Sequence, residues 1–222
     1  MNKQPRINLE IESGNKYSKE NVIAIAGAMA DGKIAILPTC TIYGLSCAYN
    51  IQSAHDRIYE LKQRPKVMPF IILIADIADI DILADKKNTF ADALIKKYWL
   101  SLSRPPVTII FKKNKNLPDF VTGGSDCIAL RLECLQIIKD IIKICGPIVS
   151  TSATISGTGQ SPASIAEIPE VIKNNVDIVI NAKKDLAGVA STIVDVTGKV
   201  PVIAREGKVS RQEIMELFMQ LQ

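Results

Sequence analysis

Four short segments hold most of the side chains that could do chemistry. In the first, Pro38-Thr39-Cys40-Thr41-Ile42-Tyr43-Gly44-Leu45, two threonine hydroxyls and a glycine follow an apolar run. Open α/β sheets bind ligands beyond their strand ends, where such residues let a polar group reach the backbone. The same residues also suit an ordinary turn. The second, Lys62-Gln63-Arg64-Pro65-Lys66, sets three cations within five residues. They read either as solvated charge at a helix C-terminus or as a clamp whose arginine grips phosphate oxygens bidentately. In the third, five hydroxyls crowd into the seven residues Ser150 to Ser156. At that density they either bond turn backbone or line an anion site. The fourth is dispersed: Arg131 between Leu130 and Leu132, Ser191-Thr192, and Arg205-Glu206-Gly207. A strand arginine flanked by leucines must find an anion, whether an internal carboxylate or a ligand.

What is missing narrows the chemistry. His55 is the single histidine. A multi-histidine metal site is therefore excluded, and any histidine triad would depend on that one residue. It falls inside a predicted helix, where a surface or packing role is the expectation. No G-x-x-x-x-G-K-[ST] occurs, so a nucleotide would be held by scattered side chains and not by a P-loop. No protein-held metal is expected. The five cysteines are odd in number and none are spaced C-x-x-C. That argues against a zinc knuckle and a disulfide framework, and predicts reduced core thiols in a cytoplasmic protein. The net charge of +4 permits an anionic ligand or RNA and demands neither. The start carries no apolar signal core, and aspartates interrupt the apolar stretch Phe70 to Ala84, so no membrane span is expected.

Helical and strand patterns alternate along the chain. Helices are predicted from Ser18 to about Ala30, from a Ser53 cap to Arg64-Pro65, over 85–100, Leu135 to Cys145 and Ser164 to Ile172. A C-terminal helix opens on the capping box Ser210-Arg211-Gln212-Glu213. Strands are predicted over Lys33–Pro38, Phe70–Ala75, Val107–Phe111, Cys127–Leu132, Ile148–Ser150, Asp177–Ile180, Thr192–Val196 and Val202–Ala204. Phe70–Ala75 is too apolar to have a wet face and should lie centrally. The expectation is one α/β domain over 1–222, with a core of about 18–210 and a mixed, twisted sheet flanked by helices.

Taken in order, the segments resemble the YrdC/YciO-type threonylcarbamoyl-adenylate synthase family. Pro-Thr-x-Thr-x-Tyr-Gly-Leu is matched at 38–45 and Lys-x-Arg-Pro at 62–65. A strand entry with threonine corresponds to Pro106-Val107-Thr108, and a strand arginine to Arg131. Ser-Thr-Ser-Ala-Asn-x-Ser-Gly is matched at 150–157 except that Thr154 replaces Asn. Ser161-Pro162, Ser191-Thr-Ile-Val-Asp195 and Arg205-x-Gly207 follow, so the resemblance spans about 18–210. Met68 and Leu73 stand where many longer members have Asn and His, which fits a short, single-domain form.

The resemblance implies an ATP-dependent enzyme of tRNA threonylcarbamoyladenosine modification. It would join L-threonine, bicarbonate or CO2, and ATP, with Mg2+ carried on the phosphates, to give threonylcarbamoyl-AMP and pyrophosphate. Lys62 and Arg64 would be catalytic. ATP would be held by Lys62, Arg64, Thr108, Ser152, Thr154 and Arg205, and threonine by Thr39, Ser191 and Arg131. A separate transferase would act on tRNA, and this chain could contact tRNA or double-stranded RNA itself. The alternative is a diverged YciO-like paralogue, or an RNA-binding protein on the same fold, without synthase activity.

Overall fold

The structure, a computed structural model, describes residues 6–11, 17–85, 87–103, 105–183 and 185–222. In chain order the elements are β1 (Ile7–Ile11), α1 (Lys19–Ala30), β2 (Ala35–Pro38), β3 (Tyr43–Ala48), α2 (Gln52–Lys62), β4 (Ile71–Ile74), α3 (Asp79–Leu83) and α4 (Thr89–Leu94). Then follow β5 (Val107–Lys112), α5 (Asp119–Thr122), β6 (Cys127–Leu132), α6 (Gln136–Cys145) and β7 (Ile148–Ser152). The chain continues through α7 (Glu170–Lys173), β8 (Ile178–Ala182), β9 (Thr192–Asp195), β10 (Val202–Arg205) and α8 (Arg211–Met219). The strands form one ten-stranded mixed sheet in the order β1-β8-β2-β3-β7-β4-β6-β5-β9-β10. β4 lies sixth, parallel to β6 and antiparallel to β7, as its apolar sequence predicts.

Strand alternation divides the core between the two faces. Ile36, Ile72, Ile74 and Val149 pack on one side with Ile58 and Leu94 of the helices. Leu37, Leu73 and Ile148 pack on the other, under Ile25 and Met29 of α1 and Ile138 and Ile141 of α6. Burying a side chain of that size contributes about 1.5–3 kcal/mol. The cap of α1 is as expected: the Ser18 hydroxyl accepts the Asn21 N–H at 3.2 Å. His55 takes the packing role. It is 1% exposed, its Nε2 lies 2.9 Å from the Tyr49 carbonyl oxygen, and its ring meets the Phe120 ring edge-on.

Several sequence expectations need correction. The sequence patterns predict neither β1 nor β3. β3 carries the motif residues Tyr43 and Gly44 and is fixed by pairing on both sides, with β2 and β7. α2 starts at Gln52 on Ile51, without a side-chain cap, so Ser53 is inside the helix. The helix expected over 85–100 crosses Lys86, which lies outside the described residues. It resolves into α4, capped by Asn88, and a π-turn over Ile95–Trp99 that brings the Trp99 indole N–H to the Val107 carbonyl at 2.8 Å. Pro169 splits the helix expected over 164–172 into a 3-10 turn and α7, because Ile168 before it is held extended. Cys40 and Cys134 are not reduced core thiols: they form a disulfide, with Cα atoms 5.7 Å apart. Their separation of 94 residues leaves no local signature to read. Among the described residues no helix is long and apolar enough to cross a membrane.

Candidate functional site

The side chains singled out in the sequence meet around one cleft of about 700 Å³, its mouth included. Its walls come from the β2–β3 turn, the segment after α2, the exit of β7, and strands β6, β9 and β10. Thr39 and Thr41 line one part; Ser150, Thr151 and Ser152 line another. Arg64, Arg131 and Arg205 all face into it. Three arginines and, among the described residues, no carboxylate line the cleft, so the lining carries positive charge and suits an anion.

Each wall is held by specific bonds. The Thr39 hydroxyl donates to the Ile42 carbonyl at 2.8 Å and lies 3.0 Å from the Thr41 hydroxyl. Arg131, only 6% exposed, donates from Nη1 to Thr41 Oγ1 at 3.2 Å, and its Nη2 is 3.6 Å from Glu133 Oε2. Thus the arginine has the internal partner that its strand position demanded and still borders the cleft. Burial pulls the pKa values of Arg131 and Arg64 below the ordinary arginine value, and both remain cations at neutral pH. Arg205 donates from Nε and Nη2 to the Ser191 carbonyl at 3.1 and 2.9 Å. Its own pKa is lowered by burial and then by the neighbouring Arg131 charge. Arg64 spends Nε and Nη2 on the carbonyls of Met68 and Pro69, both at 3.1 Å, and its guanidinium carbon sits 5.5 Å from the Phe70 ring centre.

Four of the candidate residues lie behind the wall and not on it. Lys62 is 1% exposed, and its ammonium donates to the carbonyls of Ser152 and Thr154 at 2.5 and 2.6 Å. It pins the exit of β7 from below. Thr154 is buried with its hydroxyl 3.0 Å from that of Ser152. Thr108 and Ser191 are fully buried and share a hydrogen bond of 2.7 Å between β5 and the start of β9. So Arg64, Ser152, Arg205, Thr39 and Arg131 are brought to the cleft, while Lys62, Thr154, Thr108 and Ser191 form its support.

Burial, and secondarily the Arg64 charge, lowers the Lys62 pKa to about 8. The folded chain then binds fewer protons than the unfolded chain between about 8 and 10.5, so this residue makes stability rise with pH across that window. The full effect is about 3 kcal/mol. Urea midpoints measured from pH 7 to 10.5 should show the rise in the parent chain and lose it in Lys62→Met.

Two features of the site escaped the sequence reading. Glu133 is fully buried, and its Oε1 accepts the backbone N–H groups of Cys40, Cys134 and Leu135 at 3.1, 2.8 and 3.1 Å. The other is the disulfide that joins the β2–β3 turn to the start of α6 beside it. A signal for Glu133 existed: it is a carboxylate two residues from a strand arginine.

Comparison with known proteins gives the family and the fold. The profile of the Sua5/YciO/YrdC family, described as "Telomere recombination", matches residues 27–207. The threonylcarbamoyl-AMP synthase of Pyrococcus abyssi is 33% identical over 194 residues, covering 87% of this chain and 56% of that protein. The chain thus spans little more than half the length of that relative. A Methanocaldococcus jannaschii protein, provisionally given the same name, is 32% identical, with 93% of this chain and 95% of that one covered. Among solved structures, P. abyssi Sua5 complexed with L-threonine superposes with a TM-score of 0.86 at 30% identity, over 95% of this chain and 60% of that one. Escherichia coli YciO superposes at 0.80 with 22% identity, over 92% and 97%, which shows the shared fold. The chain belongs to the Sua5/YciO/YrdC family.

Proposed function

We propose that this chain makes threonylcarbamoyl-AMP from L-threonine, bicarbonate or CO2, and ATP, releasing pyrophosphate, as a step of tRNA modification. One observation carries the reading: three arginines converge on a hydroxyl-lined cleft that, among the described residues, no carboxylate lines. It gains weight from the P. abyssi synthase, 33% identical, and from the solved relative that binds L-threonine.

The chemistry fits what the cleft can supply. Threonine's amine and bicarbonate give a carbamate and water. A carbamate oxygen then forms a bond to the α-phosphorus of ATP as the bond to the pyrophosphate oxygen breaks. Among the described residues no histidine or carboxylate lines the cleft, so these residues contribute position and positive charge instead of a general base. In this reading Thr39 and Arg131 hold threonine through its hydroxyl and carboxylate, with Ser191 supporting that end. Arg64 and Arg205 neutralise phosphate oxygens and Ser152 donates a hydrogen bond to them, while Lys62 fixes the carbonyls of Ser152 and Thr154, and the Thr154 and Thr108 hydroxyls steady those of Ser152 and Ser191. Among the described residues the lining offers Mg2+ hydroxyls and no carboxylate, so Mg2+ would arrive bound to the triphosphate. The reaction belongs to the cytoplasm, where ATP is supplied, and a separate transferase passes the threonylcarbamoyl group to tRNA.

The deciding experiment is pyrophosphate release from ATP and Mg2+, with threonine and bicarbonate present together or one at a time. Release that requires both establishes the synthase. ATP binding without release under any combination assigns the chain to a diverged paralogue.

A further inference from the structure

Cys40 lies between Thr39 and Thr41 on the cleft wall; Cys134 lies three residues beyond Arg131 on another. Their disulfide ties these two walls together. Glu133 sits between them. Its Oε1 gathers the N–H groups of Cys40, Cys134 and Leu135, and its Oε2, with no hydrogen bond of its own, faces Arg131. Arg131 in turn holds Thr41 at 3.2 Å. A closed chain of contacts therefore runs from the disulfide through Glu133 and Arg131 back to the threonines.

Cys40, Glu133 and Cys134 also lie close enough together to suggest a metal ion. The surroundings argue against one. One carboxylate oxygen is already taken by three N–H donors and the other lies against a guanidinium. Two sulfurs remain, short of the four ligands of a structural zinc site.

We propose that Glu133 is a positioning residue for the amino-acid end of the cleft, and that the Cys40–Cys134 disulfide completes this device and couples its redox state to threonine binding. The inference rests on the assignment of the cleft to threonine. Closing the disulfide consumes one low-molecular-weight disulfide. The two protein thiols become one S–S bond and two small thiols are released, so electrons and protons balance. Both cysteines are partly exposed, so such a reagent can reach them. The oxidised chain holds Thr39 and Thr41 against Arg131 before the ligand arrives and binds threonine more tightly. Opening the disulfide frees the turn and weakens binding by about tenfold, within the usual range of coupling between sites. Coupling is reciprocal, so saturating threonine makes the disulfide harder to reduce, lowering its midpoint potential by about 30 mV per tenfold.

The test titrates the purified full chain in mixtures of small thiol and its disulfide, with and without L-threonine. Alkylation and mass spectrometry score the Cys40–Cys134 pair, and calorimetry gives threonine affinity in each redox state. A threonine-dependent fall in midpoint potential that matches the affinity ratio supports the proposal. Equal affinities with an unmoved potential overturn it while leaving the synthase reading intact. Failure of threonine to bind either state overturns both. Stoichiometric zinc binding by the reduced pair would replace it with a metal site. Cys40→Ser should bind threonine like the reduced parent in every buffer. Glu133→Gln keeps an acceptor for the N–H groups but removes the charge beside Arg131. It should raise the KM for threonine with a smaller change in kcat and unchanged ATP affinity. Equal losses of threonine and ATP binding in that variant would reduce Glu133 to a structural role.

Discussion

Replacing Arg64 with alanine lowers kcat/KM for threonine-dependent pyrophosphate release by about 10²- to 10³-fold, the usual cost of losing one donor aimed at developing charge. The chain should remain folded. Arg64 follows α2, is partly exposed, packs over the Phe70 ring, and among the described residues hydrogen-bonds the carbonyls of Met68 and Pro69, in a turn that is itself exposed. Those bonds use Nε and Nη2, which leaves Nη1 without a hydrogen-bond partner among the described residues. A residue that braces its turn with one edge presents the other edge, already oriented, to phosphate. Arg64→Lys retains the charge but lacks the planar fork, so it should recover little. Steady-state pyrophosphate assays beside circular dichroism melting curves check both halves. Normal turnover in Arg64→Ala would remove this residue from the phosphate clamp.

The largest loss of stability from a small change is expected at Gly207. A Cβ there would run into the Ala190 carbonyl oxygen, the Ser191 carbonyl carbon and the Thr192 nitrogen, all of them backbone. None can swing aside, so the segment that carries Ser191 must shift, at about 3 kcal/mol or more. Because Arg205 is anchored on the Ser191 carbonyl, activity should fall along with the urea midpoint. Gly44 offers the contrast. The nearest obstacle to its Cβ is the Ser150 hydroxyl, a side-chain atom. Gly44→Ala should therefore be rescued in large part by Ser150→Ala, whereas no single side-chain truncation rescues Gly207→Ala. Equal midpoints for the parent chain and Gly207→Ala would show that the 190–192 backbone yields freely.

What could be read from the sequence divides along a physical line. α1, α6, β4 and β6 announce themselves because apolar spacing or an apolar run is a local property. β3 does not: Tyr43-Gly44-Leu45-Ser46-Cys47-Ala48 lacks β-branched residues, and its strand geometry comes from neighbours on both sides. β1 lies near a polar start, and its partner β8 is far along the chain. The residues around the cleft were legible as types and positions, through the family resemblance. Their division into lining and support was not. Lys62 and Arg64 read as one clamp, yet two positions on a helix end point to different sides, so Lys62 turns under the β7 exit while Arg64 faces the cleft. Glu133 and the Cys40–Cys134 pair were invisible as a unit because only the fold brings them together.

The strand order has a consequence for how the chain is made. The central strand β4 completes its pairing only when β6 and β7 exist, and Ile72 pairs with Val149. At about 5–20 residues per second of synthesis, the nascent chain carries the apolar run Phe70–Ala75 without that partner for roughly 4–15 s. Val107 then waits for Thr192 and Ile7 for Ile178. Each closure spans a long loop, which slows folding and leaves apolar strand edges open to neighbours meanwhile. Substitutions in β7 or β9 should therefore reduce soluble yield during expression out of proportion to any change in the melting temperature of the finished molecule.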